Sequence, residues 1–149
     1  MDIIDTDRYP IDQPDSAEFR ELCAQCQADL DTHGLFNLPG FLRPEAIERT
    51  LDWVKPVIAR DAFVHKRAHN IYFKKEMPGL APDHPALREL ETINHTICAD
   101  QIEGSPVTQL YDQPSFATFL ACVTNKPTLY TMDDRIAGAN VMTYYDGEA

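Results

Sequence analysis

The sequence lacks any apolar run that approaches the length of a membrane-spanning helix. Its first ten residues, MDIIDTDRYP, also lack the basic and apolar regions of a secretory signal peptide. Cysteine is scarce, with 4 in 149 residues, too few and too scattered for a disulfide framework. We therefore expect a soluble, cytoplasmic protein with reduced thiols and no membrane partner.

Basic side chains are scarce as well, with 13 lysines and arginines against 24 acidic residues, so the formal net charge is −11. This charge argues against binding to nucleic acid or to an anionic membrane surface. It leaves a small-molecule substrate or a protein as the expected partner. The charge is uneven, because residues 1–40 and 81–149 each carry −7 whereas residues 41–80 carry +3. Since no repeat, linker or low-complexity tract is present, residues 1–149 are expected to form a single domain.

The first predicted element is a helix with Asp15 as its N-cap and Gly34 as its stop signal. Its apolar residues recur at helical spacing and form one stripe: Phe19, Leu22, Cys23, Cys26 and Leu30. A Cys-x-x-Cys pair can be a redox motif or half of a zinc site. Because this pair lies in mid-helix and has no second pair of matching spacing, we favour core packing.

Further elements are predicted along the chain. A short strand is expected over residues 35–38, and a helix should begin at Pro44 and be kinked or ended early by Pro56. The predicted buried face of that helix is Ile47, Leu51, Val54 and Ile58. Helical spacing recurs over residues 85–101 and 113–125, and His95 falls inside the first of these. Strands are predicted at 129–130 and 139–145, after a turn at Asp133 and Asp134.

Residues 63–75, FVHKRAHNIYFKK, contain four of the eight lysines and arginines of residues 41–80. They could form an anion site for a carboxylate or phosphate, with Tyr72 and Phe73 as apolar walls and with Lys66, Arg67, Lys74 or Lys75 as the charge. They are also typical of a solvated loop that leads into a strand, which is the interpretation we favour. His65 and His69 have the spacing of a zinc-binding helix. The residues around them favour a turn and a strand instead.

The last ten residues carry a resemblance. An aspartate, a short apolar stretch and then NVMTYYDGEA resemble the segment that precedes the iron motif in a subgroup of Fe(II)/2-oxoglutarate oxygenases, related to free-amino-acid hydroxylases and radical halogenases. A strand, the PGFL turn and a helix with an acidic start, near residues 35–45, also resemble the first part of such enzymes. The resemblance implies an α+β fold. An N-terminal helical layer would precede the first strands of a double-stranded β-helix (jelly-roll or cupin-like), and the chain would stop before the metal motif.

The same resemblance implies a function and a set of site residues. The complete protein would use Fe(II) and 2-oxoglutarate to hydroxylate a small polar substrate such as an amino acid. Asn140, Met142 and Tyr144 would face the cavity and contact the cofactor, and Asp134 would bind a substrate ammonium. Alternatively, that side of the strand packs against the helices and Asp134 is an ordinary turn residue. The chain has no match to the family's metal triad or to its distal arginine, so no catalytic or metal-binding residue is assigned.

Two classes of function follow. The chain is either the N-terminal portion of such a dioxygenase, inactive alone, or a non-catalytic, mainly helical module that binds a protein. If the final strand lacks a neighbour, its free N–H and C=O groups favour self-association.

We predict that the 149-residue chain binds neither Fe(II) nor Zn(II) better than weakly, because no three ligands have converging spacing. Anaerobic calorimetry with Fe(II), and a parallel titration with Zn(II), measure this. Stoichiometric micromolar binding that is lost in His65→Ala or His69→Ala would contradict it.

Overall fold

The computed structural model describes residues 3–147 of the chain. In this range the fold is α+β, with four α-helices and one three-stranded antiparallel sheet. The elements in chain order are α1 (Ala17–His33), α2 (Pro44–Asp61), β1 (Phe63–His69), β2 (Leu90–Cys98), α3 (Pro106–Tyr111), α4 (Pro114–Val123) and β3 (Asn140–Thr143). None of the helices in this range is long and apolar enough to cross a membrane.

Strand β2 lies at the centre of the sheet, between β1 and β3. The register places Thr96 between Phe63 and Met142, and Ile97 beside Val141. Because directly opposed residues point to the same side of a sheet, Ile97 and Val141 share one face while Thr96 lies on the other. Fully buried Ile97 packs with α2 in a small core. Helix α2 therefore covers the side of β2 that carries Ile97.

A second core joins the N-terminal segment to α1 and α4. Its central residue is Phe119 of α4, which is 1% exposed. Three aromatic rings lie with their centroids 6.2–6.4 Å from that of Phe119: Phe19, Phe36 and Phe41. Ile4 and Ile11 of the N-terminal segment are buried in the same cluster. Ile4, Tyr9 and Ile11 thus make this segment part of the core rather than a solvated tail.

The structure confirms most of the prediction for helix α1. Gly34 ends it with a φ of +74°, a left-handed conformation that glycine adopts at little cost. The N-cap is Ser16 rather than Asp15, since the Ser16 hydroxyl accepts a hydrogen bond from the Phe19 amide at 3.0 Å. Cys23 and Cys26 are buried and free, so the interpretation of the pair as core packing is confirmed.

Helix α2 begins at Pro44 as predicted, but Pro56 does not end it. The helix continues to Asp61, because Val54 and Val57 on either side of the proline are buried against the sheet core. The predicted buried face was wrong in part. Ile47 and Leu51 are exposed, and Ala46 is buried instead.

The prediction of a helix over residues 85–101 was wrong, because most of that range is strand β2 and His95 is a strand residue. Apolar residues three and four apart suggested the helix, but β-branched Thr92, Ile93, Thr96 and Ile97 favour a pleated strand. The predicted strands at 35–38 and 129–130 are absent from the sheet. Phe36 and Leu38 pack against the helical core, and Tyr130 is 88% exposed.

Residues 63–75 have the reverse of the predicted order. Strand β1 comes first, and the loop follows it. Helix α4 and strand β3 lie where the sequence placed them, with β3 shorter than the predicted 139–145. A turn does precede β3, but it runs from Asp134 to Gly138, so it begins one residue later than predicted and does not include Asp133.

We predict that Phe119→Ala lowers the free energy of unfolding by about 3–5 kcal/mol, because it opens a cavity among three packed rings. Phe63→Ala removes the same ring from a site that is 49% exposed and serves as the matched control, with an expected loss of about 1 kcal/mol or less. Urea unfolding followed by circular dichroism measures both. Equal losses would show that Phe119 is not the centre of this core.

Candidate functional site

The side of the sheet away from α2 forms a surface that we call the open face. It comprises Phe63 and His65 of β1, Asn94, Thr96 and Cys98 of β2, and Asn140 and Met142 of β3. At its centre Asn94 and Thr96 are only 6% and 5% exposed. The Thr96 hydroxyl donates a hydrogen bond of 2.6 Å to the Asn94 side-chain oxygen. The floor of the open face is therefore polar and internally hydrogen bonded.

The edge strands supply longer side chains on both sides of this floor. Thr96 lies between Phe63 and Met142, which are 49% and 54% exposed. Asn94 lies beside His65 in the register. A polar floor between apolar and aromatic walls is the usual composition of a small-molecule site.

The structure places the three predicted cofactor-binding residues on or next to this face. Asn140 and Met142 belong to it, and Tyr144 follows β3 with its hydroxyl 3.9 Å from the Met142 sulfur. The alternative was that this side of β3 packs against the helices. In the structure it is Val141, on the opposite side of β3, that packs against the core formed with α2. Binding of 2-oxoglutarate by the three residues stays a prediction.

Asp134 lies in the turn that precedes β3. One of its carboxylate oxygens accepts hydrogen bonds from the amides of Ile136 at 2.8 Å and Ala137 at 2.9 Å. Hydrogen bonds from these two amides, Ala137 first, hold the pKa of Asp134 below its ordinary value. The turn also requires Gly138, because a Cβ there would lie 2.7 Å from the Asp134 carbonyl oxygen. Asp134 thus has a structural role and keeps its negative charge.

A cavity of about 390 Å³ lies beside this turn, between α3 and the residues before β3. Most of the charged groups that line it are acidic: Asp100, Glu103, Asp112, Asp133 and Asp134. Arg135 also lines it and is 3.3 Å from Glu103. Burial raises the pKa of the nearby Cys98 thiol, and the charges of Asp100 and Asp134 raise it further. The turn is joined to the end of β2 by a hydrogen bond of 3.2 Å from the Ala99 amide to the Ile136 carbonyl, next to Cys98, the cross-strand neighbour of Asn140.

Neither a metal centre within residues 3–147 nor a nucleophile at Cys23 emerges from this geometry. Within residues 3–147 no three His, Cys, Asp or Glu side chains are grouped so that they could hold a metal ion, so the described residues do not fit an iron site. Burial, and then a hydrogen bond with Cys122, raise the pKa of Cys23 to about 12. That thiol is protonated at neutral pH and does not act as a nucleophile.

Sequence reasoning missed the floor of the open face, because Asn94 and Thr96 fell inside the predicted helix. The signal was present as Thr92, Asn94 and Thr96, a polar series of period two beside apolar Ile93 and Ile97. Comparison with protein-family models, curated proteins and solved structures found no match to this chain. The function therefore has to be argued from the geometry and chemistry of the open face and of the turn at Asp134.

We predict that Asp134→Ala lowers stability at neutral pH and exposes the amides of Ile136 and Ala137 to faster hydrogen exchange. The pKa of Asp134 is lowered by folding, so its contribution is complete above the ordinary value of 3.8 and is lost as the pH falls through the lower folded-state value. Asp134→Asn keeps an acceptor oxygen and should retain more of the protection than alanine does. Amide exchange and urea unfolding between pH 7 and pH 2.5 measure this. An Ala-to-wild-type difference that grows as the pH falls would contradict it.

Proposed function

We propose that this chain forms one wall of the substrate site of a non-haem Fe(II)/2-oxoglutarate-dependent oxygenase that hydroxylates a small polar substrate such as an amino acid. In this proposal the three strands belong to a double-stranded β-helix, and the open face lines its interior. The helices α1 to α4 form the outer layer.

The observation that carries the proposal is the buried polar floor at Asn94 and Thr96. Asn94 and Thr96 are hydrogen bonded to each other and only about one-twentieth exposed, although the apolar side chains on either side are half exposed. Such burial of a polar pair is not expected on a sheet face that only contacts water. A face that lines a ligand cavity combines these features, since the polar groups orient the ligand and the apolar walls exclude water.

Near Asn140, at one end of the open face, Asp134 supplies a negative charge that complements a substrate ammonium. Asp134 remains ionised because two backbone amides stabilise its carboxylate. Only one of its two oxygens accepts those bonds, so the other is able to accept from a substrate ammonium. Asn140, Met142 and Tyr144 would contact 2-oxoglutarate with one amide, one thioether and one phenol.

Iron and 2-oxoglutarate supply the oxidising chemistry in enzymes of this class. Residues 3–147 do not provide the facial ligand set, so the proposal requires that the iron ligands come from other residues. The contribution of this chain is to bind, to orient and to keep water from the reacting groups.

The test uses the protein encoded by the intact gene. Reading the coding frame beyond Ala149 should reveal a His-x-Asp or His-x-Gly motif within a short distance. The purified product should then consume 2-oxoglutarate and oxygen only when Fe(II) is added. We predict that Met142→Ala raises the KM for 2-oxoglutarate by about tenfold, since it removes one wall of the open face.

The matched control is Thr143→Val, one residue further along β3 and on the opposite side of the strand. Its KM should stay within about twofold of the unaltered protein. Absence of iron-dependent turnover in the intact gene product would refute the proposal and favour the non-catalytic protein-binding module. Equal effects of the two substitutions would refute the assignment of Met142.

A further inference from the structure

The loop over residues 70–75 is organised by one buried side chain. Asn70 is 4% exposed, and its side-chain oxygen accepts hydrogen bonds from the amides of Tyr72 at 3.0 Å and Lys74 at 3.3 Å. Its amide nitrogen donates to the carbonyls of Lys74 at 2.6 Å and Leu87 at 3.2 Å. A single asparagine thus fixes both ends of the loop and attaches it to a segment 17 residues away.

The same loop holds Phe73 in an uncommon conformation. Its φ is +53°, in the left-handed region that aromatic residues rarely adopt. Such a conformation persists where the surroundings impose it, and it is frequent at ligand-binding positions. Here it brings the Phe73 ring to 4.6 Å from the Arg67 guanidinium and 4.5 Å from the His69 ring.

These residues surround a cavity of about 200 Å³. The side chains that decide its chemistry are Arg67, His69, Phe73, Lys74, Lys75 and Glu89. Within the described residues 3–147, Arg67, Lys74 and Lys75 form no ion pair with a carboxylate, whereas the adjacent Lys66 is 3.1 Å from Glu91. Three cationic side chains that form no ion pair within that range therefore line one small cavity together with the carboxylate of Glu89, in a chain with a net charge of −11.

We propose that this cavity binds the carboxylate of a small organic acid. The Arg67 guanidinium lies over the face of Phe73, which leaves its N–H edge available for a bidentate contact with two oxygens. Lys74 and Lys75 add positive charge, and Phe73 with Ala68 gives an apolar surface for the carbon atoms of the ligand. Asn70 prepares the site by fixing the loop before the ligand arrives.

A carboxylate fits better than a phosphate. Glu89 lines the same cavity, and its charge repels a dianion more strongly than a monoanion. The net charge of the chain acts in the same direction. This proposal does not rest on the oxygenase function, because it concerns binding alone and involves none of the residues assigned to the cofactor or to the substrate ammonium.

The test is an NMR titration of the ¹⁵N-labelled 149-residue chain with sodium propionate, with sodium chloride adjusted to constant ionic strength. The amides of Tyr72, Phe73 and Lys74 should shift and saturate at millimolar propionate. Arg67→Met should weaken the binding at least about tenfold, since it removes the bidentate donor. Lys66→Met is the matched control, because it removes the same charge from the opposite side of β1, and its affinity should stay within about twofold.

Two further measurements keep the proposal open to refutation. Lys74→Met lies on the exposed loop surface, so it should preserve the fold and still weaken propionate binding by about threefold. Titration with sodium phosphate under the same conditions should give weaker binding than propionate. Tighter phosphate binding would overturn the assignment to a carboxylate. Shifts that chloride reproduces, or that Arg67→Met and Lys66→Met reduce equally, would overturn the site.

Discussion

The contact between Ile97 and α2 is the constraint on which the sheet depends. Ile97 lies in the central strand, is fully buried, and packs in one cluster with Val54 and Val57 of α2. Full burial of such a side chain contributes about 1.5–3 kcal/mol, a large share of the roughly 5–15 kcal/mol that stabilises a domain. Because a strand shifted by one residue would turn Ile97 away from α2, this packing also fixes which side chains of β2 face outward.

The side chains of β2 opposite Ile97 then determine the open face, and the pairing of β2 with β1 positions the loop over residues 70–75. With the register set by Ile97, the edge strands β1 and β3 pair on either side and bring Phe63 and Met142 beside Thr96. The same pairing carries β1 to His69, where the loop fixed by Asn70 begins. A buried hydrophobic contact on one side of the sheet thus positions polar and charged groups on the other.

Local signals in the sequence were sufficient for elements whose ends and faces are set by near neighbours. Gly34 ends α1, Pro44 begins α2, and β3 lies within its predicted range because each signal acts over a few residues. Strand β2 was mistaken for a helix, since its apolar residues fit both periods and its pairing partners are distant in sequence. The burial of Ile4 was not predicted either, because no periodicity marks an irregular segment that packs against α1 and α4.

In the candidate sites, too, features set by near neighbours were predicted and features set by contacts between distant residues were not. The turn at Asp134 was predicted because its hydrogen bonds reach only two and three residues ahead. The basic residues of the loop were recognised from composition, but their arrangement was not. It depends on the bond from Asn70 to the Leu87 carbonyl, a contact between residues 17 apart.

The two charged regions at the ends of the open face lie far apart along β2. Arg67 pairs with Thr92, and Asn140 pairs with Cys98, six residues further along the strand. At about 3.3 Å per residue this is about 20 Å, more than a single free amino acid can span. The loop over residues 70–75 and Asp134 therefore cannot hold the carboxylate and the ammonium of the same small ligand. If both sites bind, they therefore bind different molecules.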